Sequence, residues 1–179
     1  MLKKLLFVFV IIGGILSCSD RGKSCDSENL MLLDLAPVNT TLKVPRFLVI
    51  DSVSESDSTI IFERKVRTLD STLVIIAGVT TFENNPEAIP DVDSRMRIQR
   101  QRLEAGKDSI EVISEAFRNI GSDKVGYLKY LDKKRGRYDG RIFFNRGSMF
   151  VDIWLFERYN GSEDHHSAID CVIDNMDIK

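Results

Sequence analysis

The stretch Arg141–Phe156, RIFFNRGSMFVDIWLF, decides how this chain is read. Two runs rich in branched and aromatic side chains flank Asn145-Arg146-Gly147, whose turn chemistry predicts an antiparallel hairpin. The second run, Ser148–Glu157, is apolar at odd and even positions alike apart from Asp152. That pattern predicts a strand with both faces of its sheet covered.

Upstream, Lys124–Leu131 (KVGYLKYL) is a further β run, set off from Arg141–Phe144 by a turn at Arg135-Gly136. Ser109–Ile120 fits a strand phase through Ile110, Val112, Ser114, Ala116 and Arg118, and a helical one through Ile110, Ile113 and Phe117; the run that follows favours the strand. Together these segments predict an antiparallel meander. Before them, Asp93 or Ser94 caps a helix that reaches Ala105 and ends at Gly106. It carries Arg95, Arg97, Arg100 and Arg102 with few apolar residues, so most of its surface is expected to be exposed.

Nearer the start of the domain, Leu42, Val44 and Phe47–Ile50 predict a strand, Ser54–Ser58 a polar turn, and Thr59–Arg67 a second strand. Leu73–Phe82 (LVIIAGVTTF) reads as a central strand in which Gly78 marks a bulge or a close approach. Leu30–Leu35 is a short apolar patch expected to dock on the domain, with Pro37 and Asn39 as breakers. At the other end Ser162 caps a helix whose Ile169, Val172, Ile173 and Met176 recur at helical spacing, with Glu163 and Asp164 at its positive start. This helix is expected on one face of the sheet, and the arginine helix or the Leu30 patch on part of the other. The fold class is therefore α+β: one domain, mainly an antiparallel sheet (meander) with helices packed on its faces.

Strands first, a helix after the proline-containing loop, KVGYLKYL with RIFFNRGSMFVDIWLF in the middle, and the closing SAIDCVIDNMDI resemble the PsbP/DcrB/Mog1-like fold in element order over residues 40–179. That resemblance implies a small binding or accessory protein and leans away from catalysis.

The chain opens with Lys3 and Lys4 followed by an apolar run from Leu5 to Leu16, too short to span a bilayer comfortably, as in a secretory signal peptide. Ile15-Leu16-Ser17-Cys18 resembles the lipobox of bacterial lipoproteins, although Leu16 is bulkier than the small residue often found there. The resemblance implies cleavage before Cys18 and acylation there, giving a signal peptide over residues 1–17, a polar tether over 18–29 and a domain over 30–179. Several acyl chains would anchor firmly, at about 0.8 kcal/mol per buried methylene. Ser19 in place of a retaining aspartate implies an outer-membrane location facing the periplasm.

Cleavage would leave 162 of the 179 residues, enough for one core, and would move the formal charge from −2 to −4 through loss of Lys3 and Lys4. An acidic balance argues against a general nucleic-acid binder. Lipidation of Cys18 leaves Cys25 and Cys171. Two readings stand side by side: a disulfide between them, or a buried Cys171 on an apolar helix face with a thiol at Cys25 in the tether.

Catalytic constellations are not evident. The only histidines, His165 and His166, are adjacent, so on a helix they point about 100° apart and rarely share an ion. With Glu163 and Asp164 they read as an exposed acidic helix start, and neither a metal site nor a cofactor is expected. No G-x-S-x-G occurs, and Asp152 reads as a carboxylate that is hydrogen-bonded or at a sheet edge. Phe143, Phe144, Phe150, Trp154 and Phe156 are expected in the core. The basic residues Arg95, Arg97, Arg100 and Arg102, with Lys133, Lys134, Arg135 and Arg137 at a hairpin tip, are the candidate partner-binding positions, against the plainer reading of solvated faces.

The functional expectation is a membrane-anchored, non-catalytic module that binds another envelope protein, an immunity-type protein being one special case. The alternative is a carrier or sensor of a small apolar ligand such as a lipid, which requires a dry cavity between sheet and helix. An envelope hydrolase would need a polar cleft at His165 or His166.

Overall fold

A computed structural model describes residues 29–55, 60–106, 108–159 and 168–176. Among these residues nine strands form two sheets: β1 (Leu30–Leu35), β2 (Thr40–Pro45), β3 (Val49–Glu55), β4 (Ile60–Arg67), β5 (Leu73–Thr81), β6 (Ile110–Ile120), β7 (Asp123–Asp132), β8 (Arg137–Arg146) and β9 (Met149–Arg158). Helix α1 (Val92–Ala105) joins β5 to β6, and α2 (Ala168–Asp174) follows β9. Strands β1 and β2 form a separate hairpin, and the other seven form one antiparallel sheet in the order β3-β4-β5-β9-β8-β7-β6. The expected meander is thus present twice, as β3-β4-β5 and β6-β7-β8-β9, joined where β5 pairs with β9.

Three positive-φ glycines close the second meander, the first being Gly121 (φ 62°) at the β6–β7 turn. Gly136 (φ 61°) and Gly147 (φ 59°) occupy the left-handed region at the β7–β8 and β8–β9 turns, a conformation glycine adopts without steric cost. On one face of β9, Val151, Ile153 and Leu155 are fully buried, and they join Ile75 and Ala77 of β5 and Ile142 and Phe144 of β8 in the larger core. Helix α2 and the β1–β2 hairpin cover this face with Ile169, Val172, Leu33, Leu35, Leu42 and Val44. Burial of each such side chain contributes about 1.5–3 kcal/mol.

A buried ion pair pins α2 to the sheet: Lys129 Nζ lies 2.6 Å from Asp170 Oδ2 with the lysine side chain 4% exposed. The Glu157 carboxylate accepts from the Ile169 N–H at 3.4 Å, and burial pushes its pKa up. Arg118 donates to the Ile173 carbonyl and to Asp174 at the negative C-terminal end of the helix.

The opposite face carries a smaller core. Val92, Met96 and Leu103 of α1 pack on Leu128, Phe143 and Phe150. Phe143 lies across Gly126, where a Cβ would come within 2.6 Å of the ring, so the glycine makes room for the aromatic that α1 rests on.

Several expectations need correction. The Leu30 patch is a strand, and it covers the same face as α2, while among the described residues the arginine helix covers part of the other. What reads as one strand from Leu42 to Ile50 is split: β2 ends at Pro45, and β3 starts at Val49 in a different sheet. Strand β3 runs on to Glu55, into the expected turn. The α1 cap is Asp91, whose carboxylate accepts from the Ser94 N–H at 3.0 Å, rather than Asp93 or Ser94. Gly78 sits in unbroken register between Glu63 and Asp152, so it marks no bulge. The Ser162 cap, Cys18, Cys25 and residues 163–166 lie outside the described residues.

Candidate functional site on the uncovered half of the sheet

The covering of β9 is one-sided beyond Phe150. Helix α1 lies over β6, β7 and β8, and among the described residues the part of that face built by β4, β5 and β9 receives no helix. Pairing register gives two rows across it. One runs Lys65, Ile76, Trp154, Arg141, and the next runs Arg67, Val74, Phe156, Asp139. Trp154 is 40% exposed and Phe156 half-buried, which corrects the expectation that every strand aromatic is core.

Guanidinium groups stack on both rings. Arg141 lies 4.0 Å from the Trp154 ring centre and Arg137 4.4 Å from that of Phe156, and the two rings meet edge to face at 6.1 Å. Such stacking is worth about 0.5–2 kcal/mol depending on exposure. Asp152 fixes Arg141 with two hydrogen bonds, Nε to Oδ1 at 3.1 Å and Nη2 to Oδ2 at 2.6 Å. Arg95 of α1 also donates to Asp152 Oδ2, at 3.1 Å, and rests over Phe150. One carboxylate therefore ties the helix to the sheet and orients two cations.

A second pairing lies one row away. Arg137 Nε is 2.6 Å from Asp139 Oδ1, and Asp139 is 2% exposed. Burial raises the Asp139 pKa, against the opposing pull of Arg137, and burial with the nearby Asp139 pushes the Tyr130 hydroxyl up to about 12. On the far side Asp51 pairs with Lys65 and Arg67, each at 2.9 Å, and the hydrogen bonds from Lys65 and then Arg67 hold its carboxyl below the usual range.

Charge on this face departs from that of the chain. Lys65, Arg67, Arg95, Arg137, Arg141 and Arg158 stand against Asp51, Glu63, Asp132, Asp139 and Asp152, an excess of one cation in a protein of formal charge −2. At the β4–β5 turn the face deepens into an open groove of about 540 Å³ bordered by Arg67, Val74, Phe156 and Arg158. Such a surface can receive carboxylates by charge and planar or aliphatic groups by contact with the rings.

The predicted basic residues are not gathered in one place. Arg95 and Arg137 belong to the face just described. Arg97, Arg100 and Arg102 are exposed along α1; Arg100 pairs with Glu104 and Glu115, and it borders a second groove beside Phe117 of β6. Lys133, Lys134 and Arg135 are exposed in the β7–β8 turn, where Lys133 meets Glu111 at 2.8 Å. Sequence reasoning missed Arg141, Lys65 and Arg67. The usable signal was alternation: Arg137, Asp139 and Arg141 share one face of β8, opposite Trp154 and Phe156 of β9 in the hairpin register. Cys171 is buried on α2, and the described residues do not include Cys25. No group of three metal-ligating side chains occurs among the described residues.

No protein-family profile matches the chain, and no curated protein matches it in sequence. Solved structures do resemble it. The cyanobacterial PsbP of Synechocystis has a TM-score of 0.55 at 13% identity, with 93% of this chain and 100% of that one covered. The Ran-binding protein Mog1p of Saccharomyces cerevisiae has a TM-score of 0.53 at 13% identity, over 83% of this chain and 92% of that one. In the arrangement of its antiparallel sheet and two helices, the domain has a PsbP/Mog1-like fold.

Proposed function

We propose that this protein is a lipid-anchored cell-envelope module, held to the membrane through Cys18, that binds another envelope protein without catalysis. The observation that carries the reading is the uncovered face around Trp154. A half-exposed tryptophan and a phenylalanine lie in a central part of the sheet, each stacked by a positioned guanidinium. Aromatic and arginine side chains are the residue types that dominate binding energy at protein interfaces. The cationic excess selects a partner that presents carboxylates there. The yeast neighbour is a Ran-binding protein, so this fold can serve protein recognition.

An immunity-type role is one form of this reading, with the partner a secreted toxin. The ligand-carrier alternative has less to support it. Two concavities among the described residues are open grooves, and α2 touches the sheet so closely that a Cβ on Gly140 would fall 2.7 Å from Ile169.

The test is crosslinking of the tagged full-length protein in its own envelope, beside Trp154→Ser and Cys18→Ala variants. The proposal expects a stoichiometric protein partner that is lost with Trp154→Ser and reduced when Cys18→Ala releases the anchor. Recovery of the same partner with Trp154→Ser would remove this face from the account.

A further inference from the structure

One corner of the domain gathers the entry of the chain, exposed apolar side chains and a border of cations. The Arg46 N–H donates to the Asn29 carbonyl at 2.8 Å, and the Leu48 N–H to the Pro45 carbonyl at 3.2 Å. Val49 then pairs with Arg67, the last residue before the β4–β5 turn. The point where the chain enters the described domain is thus beside that turn.

At this corner Phe47 is 54% exposed, Ile50 59% and Leu69 84%, the last being the most exposed of the large apolar side chains described. Leu69 is held outward by an ordered turn. Asp70 Oδ1 accepts from the Thr72 N–H at 3.1 Å and from its hydroxyl at 2.8 Å, Thr68 Oγ1 accepts from the Leu73 N–H, and Arg67 Nη1 donates to the Thr68 and Leu69 carbonyls. So many local bonds leave the turn little freedom to fold Leu69 back onto the protein. Across the groove of about 540 Å³, Arg135 and Arg158 stand exposed at the same end of the sheet, with Lys134 in the adjoining turn.

We infer that this corner is where the domain rests on an anionic lipid bilayer, with Leu69 and Phe47 at headgroup level and Lys134, Arg135 and Arg158 over the phosphates. The inference rests on the Cys18 anchor proposed above. Ten residues, and so eleven Cα–Cα steps, separate Cys18 from Asn29. Even fully extended they span at most about 40 Å, so the domain stays within reach of the membrane and is tethered at this corner. Exposed apolar side chains bordered by Lys and Arg are the chemistry that binds a headgroup layer. The face around Trp154 then rises from the membrane, open to a partner from the side.

The test is amide hydrogen exchange of the purified full-length protein in phosphatidylethanolamine–phosphatidylglycerol vesicles and in neutral phosphatidylcholine vesicles. Expected is several-fold slower exchange over residues 46–50 and 67–72 on the anionic vesicles, with the turn at 145–148, on the opposite end, unchanged. Leu69→Asp and Arg158→Glu should each reduce that protection. Equal exchange on both vesicles, or protection centred on 145–148, overturns the inference. Mass analysis of the N-terminal peptide separates the two ideas: an unmodified Cys18 removes the anchor and this inference with it. A lipidated Cys18 with an unprotected corner overturns this inference alone.

Discussion

Replacing Asp152 by alanine should be among the most damaging changes available on the exposed half of the domain. The carboxylate is 16% exposed and accepts three charge-assisted hydrogen bonds, two from Arg141 and one from Arg95. Without it the Arg141 guanidinium, 9% exposed, is left uncompensated beside Arg95. Removing one partner of a buried pair costs about 3–5 kcal/mol, and because Arg95 can rehydrate, about 2–4 kcal/mol is expected here. For a domain of this length that is a fall in Tm of roughly 5–15 °C. Arg95→Ala should cost only about 1 kcal/mol, because Arg141 keeps its two bonds to Asp152. The double variant Asp152→Ala with Arg141→Met should be more stable than Asp152→Ala alone, since the orphaned charge is gone. Urea denaturation of wild type, Asp152→Ala, Arg141→Met and the double variant gives the cycle directly. An Asp152→Ala protein within 0.5 kcal/mol of wild type, or a double variant equal to the sum of its parts, would refute the reasoning.

Three further outcomes follow from the packing and the titrating groups. Gly140→Ala places a Cβ 2.7 Å from Ile169 Cγ2, so α2 must shift; a loss of about 1–3 kcal/mol is expected, relieved in part by Ile169→Leu, which removes that methyl. Glu157 has a native pKa raised above 4.5 by burial, so the native state holds its proton more tightly than the unfolded chain. Its contribution is greatest in acid and is lost as the pH rises through the native value, so the stability of wild type relative to Glu157→Gln should fall across that window in denaturant titrations at stepped pH. Asp91 has the opposite sign: the Ser94 N–H lowers its pKa, and its capping contribution disappears as the pH falls below the ordinary aspartate range. Circular dichroism melts should therefore show Asp91→Ala with a lower Tm than wild type at neutral pH and a smaller difference in acid.

The sheet was legible where local chemistry and pattern agreed. Gly136 and Gly147 mark turns only they fill easily, and the runs around them have strand composition, so β7, β8 and β9 could be placed from residue types. The β2–β3 break was not, because Phe47–Ile50 continues an apolar run while Pro45 and Arg46 turn the chain into another sheet. Apolarity there does not mark one buried strand: Leu48 is buried, but Phe47, Val49 and Ile50 are all exposed. The candidate site was hidden for a related reason. Whether Trp154 is core or surface depends on where α1 lands across the sheet, and Arg95 and Asp152 are 57 positions apart in sequence. Periodicity within one segment carries no information on such a pairing.

The most direct measurement replaces Trp154 with a photocrosslinking amino acid in the full-length protein, expressed in its own envelope. The same probe at Leu32, an exposed position on the β1–β2 hairpin, serves as the control. The account predicts one protein adduct from position 154, absent from position 32 and suppressed when Arg137 and Arg141 are changed to glutamate. Adducts of equal yield from both positions, or an adduct at 154 that survives those charge reversals, would contradict it.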